Sequence, residues 1–435
     1  MRPWSRIALS VAVVVGLAGG LLAVGAASGA PGQAPVPAAT PAVAVDPLDS
    51  AILKLQADLD RVPGNFRAWS ELGLAYVQKA RLTADPGLYT RADGAFAKAL
   101  ELHPNDNDLA LTGQASLAAS RHDFGGALAL TDRSLKINGF SPTTYAVRSD
   151  ALTELGRYDD ARIAIQRLLD LRPGGVDGLT RASYSFELRG DDVRASELLT
   201  MATKASRAPA DQAFAYYYLG ELAWSRGDLD AASAAYEAGL VADPNYMYLV
   251  AGRAKVMAAR GDTTAAASEY RTAVERLPLP EFLVSYGELL EATGQNDAAQ
   301  EQYAVLRATQ KIYAASGQDV DTELAVFEAD HGTPEAALAS AKKAYAKRPN
   351  GIFTQDAYAW ALHANGFDAQ ALPIAKQSVR LGYRFPAFYY RLGAIALAAG
   401  DKATAKSALT KALALNPTFS PLHAPEARAL LKTLG

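Results

Sequence analysis

Cysteine is absent from all 435 residues. That absence excludes disulfides, thiolate metal sites, thiol catalysis and a lipid-carrying cysteine. Histidine is scarce, and His103, His122, His331, His363 and His423 nowhere fall at metal-ligand spacing. Three of them (His103, His122 and His331) fall in inter-helix turns, where a solvated side chain is the expectation. Neither charge sign dominates: 43 Lys and Arg stand against 46 Asp and Glu, a formal net charge of −3. Nucleic acid requires a concentrated basic footprint, and no basic tract exists, so nucleic acid is excluded as a partner. There is no phosphate-binding glycine loop, no GxSxG, no dinucleotide fingerprint and no HExxH. No catalytic residue, cofactor site or metal site is therefore predicted, and the chain reads as a non-enzyme. Long β-branched runs are missing too, which disfavours sheet.

What the chain has in quantity is alanine, with half of all residues apolar and 20% charged. That is the composition of an ordered, helical protein. Its length exceeds what one hydrophobic core supports, so the choice lies between several domains and an extended repetitive array. The N-terminus carries Arg2 and Arg6 before an apolar run from Ile7 to about Ala27. Residues 1–27 read either as a signal peptide cleaved near Gly25–Ala26–Ala27 or as an uncleaved anchor, a membrane tether through residues 7–27. Both readings place the remainder outside the cytoplasm. Residues 28–50 hold Pro31, Pro35, Pro37, Pro41 and Pro47 and read as a Pro/Ala linker.

From Ala51 onward an internal period governs the chain. Aligned alanines stand at 51, 92, 127, 161, 195, 232, 266, 299, 337, 371 and 405, mostly 33 to 38 residues apart. The first interval, 41, is one period plus a seven-residue insertion between Arg81 and Arg91. A glycine precedes many of these alanines by five residues, as at Gly156, Gly190, Gly227 and Gly332. A proline often follows by twelve, as at Pro63, Pro104, Pro244 and Pro417. Glycine ends a first helix by accepting the left-handed conformation. The small alanine lets a second helix approach closely, and proline ends that helix. Asp159–Asp160, Asp191–Asp192 and Asp228 begin second helices, where an acid suits the helix dipole.

The unit Trp69, Leu72, Gly73, Tyr76, Ala92, Phe96, Ala99 and Pro104 resembles the tetratricopeptide repeat, as do Leu219, Gly220, Ala232, Tyr236 and Pro244. The resemblance covers nearly everything after Ala51. It implies an all-α, right-handed superhelical solenoid of stacked antiparallel helix pairs, about ten repeats over 51–417. Ala51 to Pro63 reads as a lone half-repeat, and 418–435 as a C-terminal capping segment with its helix over Pro425–Leu434. The register slips near Ala205–Asp211 and Leu306–Thr322, and the latter reads as a lengthened helix or a kink.

The resemblance also implies which residues line the concave face. Units four to six would present Asp177, Tyr184 and Glu187, then Phe214, Tyr217, Glu221 and Trp224, then Tyr248 with Lys255 as the only base. Neighbouring units would add Asp150, Glu154, Glu288 and Glu291, and a second inward group would hold Phe353, Asp356, Trp360 and His363. Such a groove is aromatic and acidic, suited to a protein or extended peptide segment that is basic or proline-rich. Packing of the same aromatics between repeats is the competing reading. The expected function is that of an extracytoplasmic scaffold or adaptor; a cell-wall polymer or other non-protein ligand is the alternative. Lysine and asparagine positions that clamp acidic C-terminal tails in one subclass hold aromatics and acids here. Oligomeric state is left open.

Overall fold

A computed structural model describes residues 47–435. The expected leader and nearly all of the expected linker lie outside the described residues. Among those described there are 22 α-helices and no strand. The first, α1 (Pro47–Arg61), stands alone, so the chain is already helical at the end of the segment read as linker. Proline is tolerated in a first helical turn because that N–H has no intrahelical partner. Ten antiparallel pairs follow, from α2 (Phe66–Thr83) with α3 (Gly87–Leu102) to α20 (Pro386–Ala398) with α21 (Lys402–Leu415). The terminal helix, α22 (His423–Lys432), closes the array two residues earlier than the sequence suggests.

The repeat marks act as their chemistry requires. Every ladder alanine from Ala92 to Ala405 is at most 2% exposed. Asp123, Asp191, Asp228, Asp262 and Asp401 each cap a second helix, accepting a hydrogen bond from the backbone N–H three residues on. Tyr236 is fully buried between Gly220 and Gly252, where an added Cβ would lie 2.2 Å and 2.6 Å from its ring. Phe96 is wedged in the same way between Gly73 and Gly113. One aromatic per such repeat thus locks two successive first helices, and any side chain at the glycines would push them apart. Gly332 departs from the expected turn, with φ −127° rather than a positive value.

The two register slips have different outcomes. At the first, a short loop leads into α10 (Pro209–Ser225). At the second, α15 (Asn296–Ala315) runs to 20 residues, the lengthened helix rather than the kink. Just after it the chain meets its own earlier turns. The N–H of Asp319 donates to Arg121 O at 2.8 Å, and His122 Nδ1 lies 2.7 Å from Asp319 O, 197 residues away. One repeat further on, the N–H of Ile352 donates to Tyr158 Oη at 2.9 Å, across 194 residues. Next, Arg384 pairs with Asp192 at 3.0 Å. Finally Asn416 Nδ2 donates to Trp224 O at 2.7 Å, across 192 residues. Four consecutive turns therefore rest on four later loops in constant register. The solenoid is wound back onto itself along a seam, and its concave side becomes a channel with walls on both sides.

Candidate functional site

Within the channel, α8 (Val176–Glu187), α10, α12 (Met247–Ala259) and α14 (Pro280–Ala292) face the loops before α20 and α22. Here lies a chamber of about 270 Å³. Eight of the ten residues singled out as partner-binding line it: Tyr184 and Glu187, Tyr217, Glu221 and Trp224, Tyr248 and Lys255, and Glu288. Phe214 sits beside the wall, packed edge-on against Tyr218 with ring centroids 4.8 Å apart. Trp360 is elsewhere, 3% exposed in the repeat core, its indole N–H donating to Asp330 at 2.6 Å.

The second inward group is likewise absorbed into packing. Phe353 packs against Tyr383 and Phe388. Asp356 pairs with buried Arg391, and His363 bonds Asp368 at 2.5 Å. Asp150 accepts from Nε and Nη2 of Arg181, at 2.8 and 2.7 Å. Glu154 faces Arg348 at 3.7 Å, and Asp177 pairs with Arg172 at 3.0 Å. The groove read from sequence thus overlooked Arg181, Arg348 and Arg391. They stand outside the repeat positions taken as ligand-facing, and they pair with three of its acids, Asp150, Glu154 and Asp356. Two histidines depart from the solvated expectation. His331 is buried against Glu288 at 3.2 Å and Glu291 at 3.6 Å, and His122 belongs to the seam.

Inside the chamber the aromatics form one edge-to-face series, Tyr217 to Tyr218 at 5.1 Å, Tyr217 to Tyr248 at 5.3 Å and Tyr248 to Phe282 at 5.1 Å. Packing between repeats and lining the chamber are thus one arrangement. Lys255 is already engaged. Its ammonium donates to both oxygens of Glu221 at 2.7 Å and lies 5.0 Å from the centre of the Trp224 ring. The Tyr236 hydroxyl donates to the same carboxylate at 2.7 Å. The chamber therefore shows on its own side chain how it seats an ammonium group, between a carboxylate and an indole face.

Two further carboxyls have no such partner. Burial pushes Glu187 up to about 8, negative Asp192 and Glu221 add to the effect, and a hydrogen bond with Tyr383 only moderates it. Burial likewise pushes Glu281 up to about 7, with Glu323 adding. No cation pairs with either among the described residues. Glu281 occupies the second position of its repeat, a ligand-facing position, so sequence reasoning could have found it. Tyr383, Phe385 and Arg428, which wall the far side, come from loops and a cap roughly two hundred residues on, and no local pattern marks them.

These elevated carboxyls set a pH dependence. In the unfolded chain they release their protons near pH 4.3. The folded chain still holds them up to about 7 to 8. Their contribution to stability is thus present below pH 4 to 5 and lost as pH rises through 7 and 8, about 1.4 kcal/mol per unit of difference at most. The melting temperature is expected to fall between pH 5.5 and 8.5, and Glu187→Gln to flatten that fall. A flat wild-type profile in differential scanning calorimetry would contradict it.

A second compartment of about 200 Å³ adjoins the first, sharing Tyr248 and Glu281. Among the described residues no cluster has the make-up of a metal site, and no helix is long and apolar enough to cross a membrane.

A sequence family agrees with this architecture. Residues 142–174, 215–246 and 386–419 match the family model for the tetratricopeptide repeat. Among solved structures the chain is similar to a thermophilic TPR protein of Thermus thermophilus, with 22% identity over 44% of this chain and 99% of the other and a TM-score of 0.39. It is similar to a tetratricopeptide repeat protein of Parabacteroides merdae, with 22% identity over 60% and 98% and a TM-score of 0.34. It is also similar to the APC/C hetero-tetramer Cut9–Hcn1, with 15% identity over 89% and 93% and a TM-score of 0.40. At such identities the likeness concerns fold alone. No curated protein sequence matches the chain.

Proposed function

This chain is a tetratricopeptide-repeat protein, and from that premise we propose that it is a non-catalytic extracytoplasmic scaffold that captures a basic segment of a protein partner in its concave chamber. The observation that carries the reading is the pair of half-buried carboxyls, Glu187 and Glu281, set among tyrosine rings with no cation beside them. A lysine- or arginine-bearing segment supplies the missing positive charge, and the rings supply rigid contact area. Arg2, Arg6 and the apolar run after them support export. The later loops wall the far side of the chamber, so a captured segment lies between the two windings.

Charge reversal at Glu187 is the direct test, because Glu187 holds no internal ion pair. Reversal at Glu221 would also free Lys255 and would confound the result. A panel of acetylated, amidated decapeptides, basic, proline-rich or acidic, is titrated into the protein by calorimetry. Basic members are expected to bind, and Glu187→Lys to weaken them about tenfold or more, the worth of one close charge contact. Equal binding of acidic and basic peptides, or indifference to Glu187→Lys, would remove the reading. Retention on cell-wall material that persists in Glu187→Lys would instead favour a neutral polymer stacked on the tyrosines.

A further inference from the structure

The compartment beyond Tyr248 has a chemistry of its own. Its walls come from the seven-residue insertion (Ala84, Pro86, Tyr89), from the start of α14, and from α15 and α16 (Asp321–His331). Gln310 is 5% exposed, and its Oε1 is buried with no hydrogen-bond donor. Glu323 Oε2 is likewise buried without a donor. Glu281, on the wall shared with the main chamber, bonds only its own backbone and feels the charge of Glu323. Three acceptors in one small compartment thus lack an external donor. A buried acceptor left unsatisfied costs about 1–3 kcal/mol, so such a grouping calls for a ligand that donates.

The basic groups there are committed. The Arg81 guanidinium donates to Ser120 at 2.8 and 3.1 Å and to Ser116. His122 is tied to Asp319 O. With Arg81 against Glu281 and Glu323, the formal charge of the compartment is −1 when both acids are ionised. Tyr248 and Tyr313 present aromatic surface beside the acceptors.

We propose that this compartment is a site for one primary ammonium group, held by Gln310 Oε1, Glu323 Oε2 and the Glu281 carboxylate against the tyrosine rings. An ammonium carries three donors and no acceptor, which matches three acceptors in number. A guanidinium presents a planar fork suited to a single carboxylate, and matches this set less well. The ammonium has two sources: the tip of a lysine side chain reaching past Tyr248 from a segment in the main chamber, or a free alkyl diamine. The lysine source rests on the capture of a basic segment described above; the free diamine does not.

The test is calorimetry on the full chain with four probes: 1,5-diaminopentane, a decapeptide with one central lysine, the same peptide with that lysine ε-acetylated, and its arginine counterpart. Variants are Glu323→Gln and Gln310→Leu, which keep size and remove an acceptor or its charge, with melting temperatures to confirm folding. The lysine peptide is expected to bind at least tenfold tighter than its acetylated and arginine counterparts, and both variants to erase that preference. Binding of diaminopentane that both variants abolish supports the site with a free amine as its source. If peptides bind and respond to Glu187→Lys but do not distinguish lysine from acetyl-lysine, the scaffold reading stands and the ammonium site is overturned. If diaminopentane alone binds, and is lost in Gln310→Leu, the site stands and peptide capture falls. Binding of neither probe class overturns both.

Discussion

Replacing Gly156 by alanine is expected to part the two windings of the solenoid where they touch. Gly156 ends α6 (Pro142–Glu154) with φ +74°, and a Cβ there would lie 2.2 Å from the backbone carbonyl of Asn350. The obstacle is backbone, so no side-chain rotation relieves it. The left-handed conformation adds about 1–2 kcal/mol for any residue with a Cβ. Contacts at the same step would loosen together, namely Tyr158 with Ile352 and Glu154 with Arg348. A total loss of about 3 kcal/mol or more is expected. The control is Gly261→Ala, because Gly261 also has a positive φ (+91°) but an added Cβ there meets nothing within 4 Å. It should cost only the strain, about 1 kcal/mol. Small-angle scattering should show a larger radius of gyration for Gly156→Ala alone, with helical circular dichroism retained in both. Equal destabilisation and unchanged scattering would mean the seam carries no weight.

The second large effect is expected at Arg391, 2% exposed and paired with Asp356, itself 4% exposed. Burial raises the Asp356 carboxyl to about 6, and Arg391 is what keeps it from rising further. Arg391→Met fills similar space but leaves a buried acid without its cation, a change that costs about 3–5 kcal/mol. The acid can escape part of this by taking a proton. Its folded pKa then lies further above the unfolded value, so the deficit should be smaller at pH 5 than at pH 8. Urea midpoints at the two pH values measure it, and Arg391→Met with Asp356→Asn should recover part of the loss. A pH-independent loss below about 1 kcal/mol would show that the pair contributes little net free energy.

Both predictions, and the two binding tests, concern residues of uneven legibility. Tyr184, Glu187, Tyr217, Trp224 and Tyr248 were readable because repeat position alone determines which side of a first helix faces inward. Trp360 obeys the same positional rule and yet is buried, since Asp330 and His363 draw its indole into the neighbouring packing. Gln310 and Glu323 follow no repeat position, because α15 outruns its repeat and α16 restarts after an irregular loop.

The sequence by itself determined that the chain is a stack of helix pairs. Spacing, turn glycines, buried alanines and paired glycine–aromatic contacts each act between neighbouring repeats, and neighbouring repeats are near in sequence. Only the tertiary structure decided that the groove is a chamber walled on both sides with a second compartment beside it. Winding depends on small rotations between repeats, and their sum over five or six repeats decides whether residue 156 meets residue 350. No local pattern records that sum, so the walls from distant loops, and the acceptors they enclose, emerge only when the whole array is assembled.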